Sequence, residues 1–260
     1  MKEYFKGILK DRYILFSFVN KDLQMKYRKS FLGVAWSVIT PLGLVLIIGS
    51  VYSILLGNDP KTFIPLLFTG LNPWIFLNSC ADGGTFSFLS AEGYLKQTTV
   101  SPQIFPLRTT CVNMINLLYS IIAFFLVYLF LEPEFFGPKM LMVFPGLIII
   151  LIFSLGLSNI SAVLNLYIRD FQPFQALIFQ GLFYATPVIY DPNMLKDKGF
   201  EFVYKYNPFY YMIEIIRQPM LGNSVLEANV YSISLTIALI TFAISVFLVM
   251  KIKDEIVFKL

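Results

Sequence analysis

The chain has 260 residues, 57% of them hydrophobic and only 14% charged, with a net charge of +4. Soluble domains carry about 25% charged residues, so this composition, with a mean hydropathy of +0.71, excludes an ordinary soluble core and indicates an all-α polytopic membrane protein. The absence of histidine excludes histidine-dependent membrane acyltransferases, rhomboid-like proteases and any zinc site built on imidazole. No G-x-S-x-G elbow, Asp-x-Asp pair or phosphate-binding glycine loop occurs. The sequence therefore predicts no enzyme: no ATPase site, no covalent chemistry, no metal and no cofactor. Any active transport must borrow its power. Cys80 and Cys111 lie in apolar stretches and suggest small packing residues rather than a disulfide framework.

In chain order, residues 1–29 are too polar to span and lack a cleavable signal peptide. Phe5, Ile8, Leu9, Leu15, Phe16, Val19 and Leu23 recur at roughly helical spacing between lysines and acids. This predicts an amphipathic helix lying in the cytoplasmic interface. A basic stem ending in Arg28 and Lys29 then runs into a stretch without charge from Ser30 to Asn58. Residues 30–260 read as one transmembrane domain with six spans, at 31–56, 62–88, 109–131, 140–168, 171–190 and 228–250. A spanning helix needs about 20 apolar residues.

Asp82 interrupts the second span, beside Gly83-Gly84. Either that span ends there and Asp82 is solvated, or a lone acid sits at membrane depth at a cost of about 2.5–3.5 kcal/mol. The segment 191–227 is crowded with aromatics, from Phe200 to Tyr211, around Asn207-Pro208. It reads as two short helices dipping into the outer leaflet, the second over Phe209 to Leu221, with Glu214 and Arg217 on one face. An aromatic belt at the interface accounts for the same residues. Six spans put both termini on one side. The lysines and arginines of 1–29, with Lys96, Arg108, Arg169, Lys251, Lys253 and Lys259, outnumber those on the other side, which makes the terminal side cytoplasmic.

Six segments, in order, resemble one family: Leu23-Gln-Met-Lys-Tyr-Arg-Lys-Ser-Phe-Leu-Gly-Val-Ala-Trp36 with Pro41-Leu42; Gly70-Leu-Asn-Pro-Trp-Ile-Phe76; Gly93-Tyr-Leu-Lys96 leading to Ile104-Phe-Pro-Leu107; Asn165-Leu-Tyr-Ile-Arg-Asp170; Thr186-Pro-Val-Ile-Tyr190; and Asn207-Pro208 with Ile213 and Arg217. Over nearly the whole length the chain resembles the permease subunit of bacterial polysaccharide ABC exporters, the Wzm-like O-antigen permeases, whose relatives export teichoic acid and capsule. The resemblance implies a homodimer of six-helix permeases in the bacterial cytoplasmic (inner) membrane. It implies two copies of a Wzt-like ATPase beneath and a polymer carried on undecaprenyl pyrophosphate. Lipids are its other partners; no nucleic acid is expected.

On that resemblance, the loop 91–108 supplies the coupling contact to the ATPase through Glu92, Tyr94, Leu95 and Lys96. Tyr27, Arg28 and Lys29 meet either the carrier pyrophosphate, the ATPase, or simply lipid head groups. Aromatic faces suit the apolar faces of sugar rings and tolerate many sugars. The expected channel at the dimer interface is accordingly lined by Trp36 and Tyr52 of span one and Phe174, Phe179, Phe183, Tyr184 and Tyr190 of span five. Tyr210, Tyr211, Glu214 and Arg217, within 191–222, form short re-entrant helices that gate the outer side. Arg169-Asp170 reads as an ion pair at the membrane edge or as a partner contact. Two rival functions stand beside lipid-linked polysaccharide export: the same fold moving teichoic acid, capsule or a small hydrophobic molecule, and a non-catalytic scaffold of a glycan synthase complex.

Overall fold

The computed structural model describes residues 1–28, 30–131, 133, 136–196, 198–222 and 228–260, without the side chains of residues 27, 56, 130 and 131. Among the described residues the chain is helical and has no strand. Two helices, α1 (Lys2–Lys10) and α2 (Arg12–Tyr27), stand where one was expected. The break falls at Asp11, whose backbone leaves the helical region and whose carboxylate accepts the Ser101 N–H at 2.8 Å. A 3-10 turn over Gly33–Ala35 leads into α3 (Trp36–Leu56). Next come α4 (Pro60–Ser87), the short α5 (Glu92–Gln97), α6 (Ile104–Leu131) and α7 (Val143–Tyr167). The fifth expected span forms α8 (Phe171–Ala185). Three short helices follow: α9 (Asn193–Lys196), α10 (Phe202–Lys205) and α11 (Pro208–Leu221). The chain closes with α12 (Ala228–Ile252) and α13 (Ile256–Lys259).

Among the described residues, five stretches are long and apolar enough to cross a membrane: Gly33–Leu55, Pro60–Ser87, Ile104–Leu129, Pro138–Tyr167 and Ala228–Ile252. They make this a multi-pass membrane protein. The 15 residues of α8 reach only about 22 Å at 1.5 Å per residue, short of a hydrocarbon core of about 30 Å. The helix stops because Thr186 precedes Pro187 and is pushed into the extended region (φ −94°, ψ 136°).

Helices α4 and α7 cross at the centre. A Cβ on Gly84 would lie 2.6 Å from the Ser158 carbonyl oxygen, so the two backbones meet there only because Gly84 has no side chain. Helix α12 packs behind α7, α3 and α6 flank α4 on one side, and α8 lies along it on the other. Within a bilayer such contacts gain from close packing and polar bridges rather than from the hydrophobic effect. Asn165 donates to the Thr85 carbonyl at 2.9 Å and accepts from the Gln172 N–H, while Ser161 donates to Gln175 at 2.6 Å, so α7 fixes the position of α8.

Both termini lie at one end of the bundle, where Lys253 pairs with Glu3. There Tyr4 is fully buried among Phe88, Val246 and Val249, and its hydroxyl accepts from Asn159 at 3.0 Å. At the opposite end α11 packs over α4, α7 and α12. Since α7 ends near α13 (Tyr167 bonds Glu255) and α12 begins near the start of α7 (Tyr231 bonds the Met142 carbonyl), the chain between them runs from the terminal end to the far end.

Candidate functional site: a polar stripe on α4 and its flanks

Beyond Leu66, α4 is buried apart from Gly83 and five larger residues, Ile75, Asn78, Ser79, Asp82 and Phe86, whose spacing puts them on one helical face. Three of the five are polar. A polar stripe of this kind is costly against lipid and belongs against water or protein. It is flanked by α3 and α8 and has a hollow on each side.

The first hollow, about 270 Å³, opens between α3, α4 and α6. Its α6 wall carries Asn113, Asn116 and Ser120 on one face, and α3 contributes Ser37 and Thr40. Lys26 of α2 reaches in and donates to Asn116 at 3.0 Å. Burial lowers the Lys26 pKa from its ordinary value. Deeper in, Ser120 donates to Asn72 at 2.7 Å. The second hollow, about 380 Å³, lies between α4 and α8 and is lined by Asn78, Asp82, Gln175 and Gln180 together with Trp74, Phe179, Phe183 and Tyr184. Gln172 donates to Asp82 at 3.2 Å. Asp82 therefore lies within α4, in the last turns before Ser87, and is bridged to α8.

At the far end several of the sequence motifs meet. Arg217 donates to Glu214 at 2.9 Å and to the Val188 carbonyl at 2.7 Å, with both side chains buried. Gln218 donates to the other Glu214 oxygen. Asn207 caps α11 by accepting from the Phe209 N–H and donates to Thr186 at 2.7 Å. A Cβ on Gly70 would fall 2.1 Å from Arg217 and 2.2 Å from the Val188 oxygen. Gly70, Thr186, Val188, Asn207 and Arg217 thus form one buried node.

At the terminal end, α2 is clamped onto α6. Arg108 binds Asp22 through two nitrogens, both at 2.5 Å, and its guanidinium lies 5.1 Å from the Phe18 ring. Beside this, α5 turns Leu95 inward and leaves Glu92 and Lys96 exposed, paired at 2.6 Å. Tyr94 packs on Phe18 at 5.0 Å.

The expected site residues fall into these places unevenly. Trp36 sits half-exposed on the rim of the first hollow, and Tyr52 is exposed farther along α3. Phe174 and Tyr184 are exposed on α8, whereas Phe179 is buried and Phe183 partly so, both against Trp74. Tyr190 donates to the Tyr184 carbonyl at 3.0 Å. Glu92, Tyr94, Leu95 and Lys96 share α5, and the expected coupling loop 91–108 runs into α6 from Ile104. Tyr210 packs against Tyr204 with tilted rings 4.8 Å apart, and Tyr211 donates to the Lys205 carbonyl. Arg28 is exposed at the end of α2. Lys29 and the side chain of Tyr27 lie outside the described residues. Sequence reasoning missed the floor of the site: Asn72, Asn78 and Ser79 on α4, and Asn113, Asn116 and Ser120 on α6. Their signal was polar residues at helical spacing inside apolar runs, which averaged hydropathy dilutes.

Residues 13–221 match the family model described as ABC-2 type transporter. Two proteins from Klebsiella pneumoniae, both called O-antigen export system permease protein RfbA, are similar to the chain. One is 32% identical over 81% of this chain and 80% of its own length, and the other 31% identical over 89% and 88%. A protein of the same description from Myxococcus xanthus is 27% identical over 72% of each chain.

Proposed function

This chain belongs to the ABC-2 type transporter family, and we propose that it is the membrane permease of an ATP-driven exporter of polysaccharide linked to undecaprenyl pyrophosphate. The observation that carries this reading is the polar stripe of α4, walled by Trp36 of α3 and the aromatics of α8. A stripe of Asn78, Ser79 and Asp82 is suited to one wall of a wet path, and a second copy facing it would supply the other. Weak, repeated polar and aromatic contacts suit a hydrated polymer that must slide and then leave. In this reading α8, continued by the turns and bends of 186–190, makes a sixth crossing. Backbone without helical bonds is tolerated at membrane depth where protein buries it, and Thr186 and Val188 are buried and bonded to Asn207 and Arg217.

The terminal end is cytoplasmic. There α1 and α2 lie in the interface, and the exposed Glu92–Lys96 face of α5 receives a separate ATPase, two copies to a permease dimer. Helices α9–α11 close the outer side. The relatives' names speak of O-antigen export, and the cargo assigned here follows from that likeness.

The test is genetic and biochemical. Cells lacking the gene should accumulate lipid-linked polymer at the cytoplasmic face, and the wild-type chain should restore export where Asn78→Leu/Asp82→Leu does not. Loss of the polymer altogether would instead support a scaffold role in a synthase complex.

A further inference from the structure

We infer that the hollow between α3, α4 and α6 is a binding site for a lipid-linked sugar phosphate, with the phosphate on Lys26 and the adjoining sugar ring between Trp36 and the amides of α6. The inference rests on the export reading and names what the permease recognises at the start of the passage. Three observations carry it. First, among the described residues lining the hollow, Lys26 brings the charge, and the remaining polar groups are neutral amides and hydroxyls. That is the donor set for one phosphate and a ring of hydroxyls. An ammonium takes the anion as a point charge, and each carboxamide offers two donors and an acceptor oxygen.

Second, the polar groups follow one line along α6. From Asn113 they continue through Asn116, which Lys26 bonds, to Ser120 and its partner Asn72, with Ser79 of α4 lining the same hollow, and Asn113 to Ser120 spans about 10 Å of helix. The hollow of about 270 Å³ lies under the roughly 300–1,000 Å³ of pockets for larger ligands, so it admits a ring and its phosphate but not a polymer. Third, its rim is apolar. Trp36, Leu44 and Ile75 are exposed at the mouth. An isoprenoid tail leaving there stays against apolar surface while its head group sits among amides, and Trp36 offers an indole face to the ring's C–H side.

The test is direct binding to the full chain in phosphatidylcholine nanodiscs, without ATP or a partner ATPase. The probe is a farnesyl-diphosphate-linked N-acetylhexosamine, and binding is followed by tryptophan fluorescence and calorimetry. Wild type should bind it. Lys26→Gln should weaken it about ten-fold or more, the loss of one charge-assisted contact. Asn113→Leu should weaken it as well, and Lys21→Gln on the exposed side of α2 should bind as wild type does. Size-exclusion profiles and the ligand-free emission spectrum identify variants that fail to fold. Equal affinity in wild type, Lys26→Gln and Asn113→Leu would overturn the site, as would no binding to wild type. Displacement of the probe by phosphatidylglycerol or inorganic phosphate at matching concentrations would overturn the sugar assignment, because a phosphate alone would then account for it. Export that fails with binding intact would count against the transport reading and leave this site standing. Export that survives with binding unaltered by the variants would do the reverse.

Discussion

Gly70 and Arg217 occupy neighbouring space that a single methyl group would fill: a Cβ on Gly70 would lie 2.1 Å from Arg217 Nη2. The residues are far apart in sequence, yet the glycine determines whether the guanidinium can reach the Val188 carbonyl. Gly70→Ala must push Arg217 aside and should destabilise the protein by about 1–3 kcal/mol, the usual cost of overpacking a tight site. Thermal unfolding in detergent measures it, and an unchanged midpoint would sink the steric argument. Arg217→Met alone strands a buried carboxylate at a cost of about 3–5 kcal/mol. The double variant Glu214→Leu/Arg217→Met should lose less than Arg217→Met does.

Accessibility tests the stripe. In a background with Cys80→Ser and Cys111→Ser, Asn78→Cys and Asp82→Cys should react with a charged, membrane-impermeant thiol reagent. Leu239→Cys, exposed on α12, should react slower by on the order of ten-fold or more, since thiolate chemistry needs water. Equal rates at the three positions would mean that the α4 face is no wetter than a lipid-facing helix.

The long helices were legible because chain composition changes where water gives way to hydrocarbon, and α4 falls within two residues of its expected bounds. The span expected at 109–131 lies inside α6, whose helix begins earlier, at Ile104, and carries Arg108 against Asp22 and Phe18 of α2. Hydropathy cannot say which face of a helix is which. Phe179 and Phe183, four residues apart, share one face, and both lean on Trp74 and line the second hollow with it. The node of Gly70, Val188 and Arg217 was visible as three separate motifs, but their meeting depends on tertiary packing that no local period records.

The clamp between α2 and α6 should matter for coupling. Arg108→Ala removes a two-point bond to Asp22 and a ring contact with Phe18, and should cost about 1.5–3 kcal/mol. If α2 holds α5 in place through Phe18 and Tyr94, the variant should also lower the ATP turnover that the permease elicits from its ATPase. The swapped pair Asp22→Arg/Arg108→Asp should recover part of both. Turnover that stays at the wild-type level would remove α2 from the coupling path.

The contact between the two termini sets a pH window. Lys253 hydrogen-bonds Glu3 and holds its carboxyl below the ordinary value of 4.5. That depressed pKa contributes stability above 4.5, lost as pH falls through the folded value. Glu3 in turn raises Lys253 above 10.5. Its contribution is present below 10.5 and lost as pH rises through the raised folded value. Hydrogen exchange of α1 should therefore quicken in acid below the carboxylate range and again in strong alkali. Glu3→Gln should abolish the acid limb. An acid limb that persists in Glu3→Gln would assign it to another group.

The early stop of α8 has a practical consequence. Past Ala185 the chain is tied back to its own helix through Thr186 on Leu182 and Tyr190 on Tyr184, and its grip on the rest of the bundle comes from Asn207 on Thr186 and from Arg217 on Val188. The segment that looks like a removable flap is therefore the clasp for the polypeptide below it. Cutting out 191–222 would unfasten the far end of the bundle from α8 rather than unblock an opening. Insertions, labels and cross-links meant to hold that side ajar belong in the turns between α9 and α10, where these fastenings are left whole.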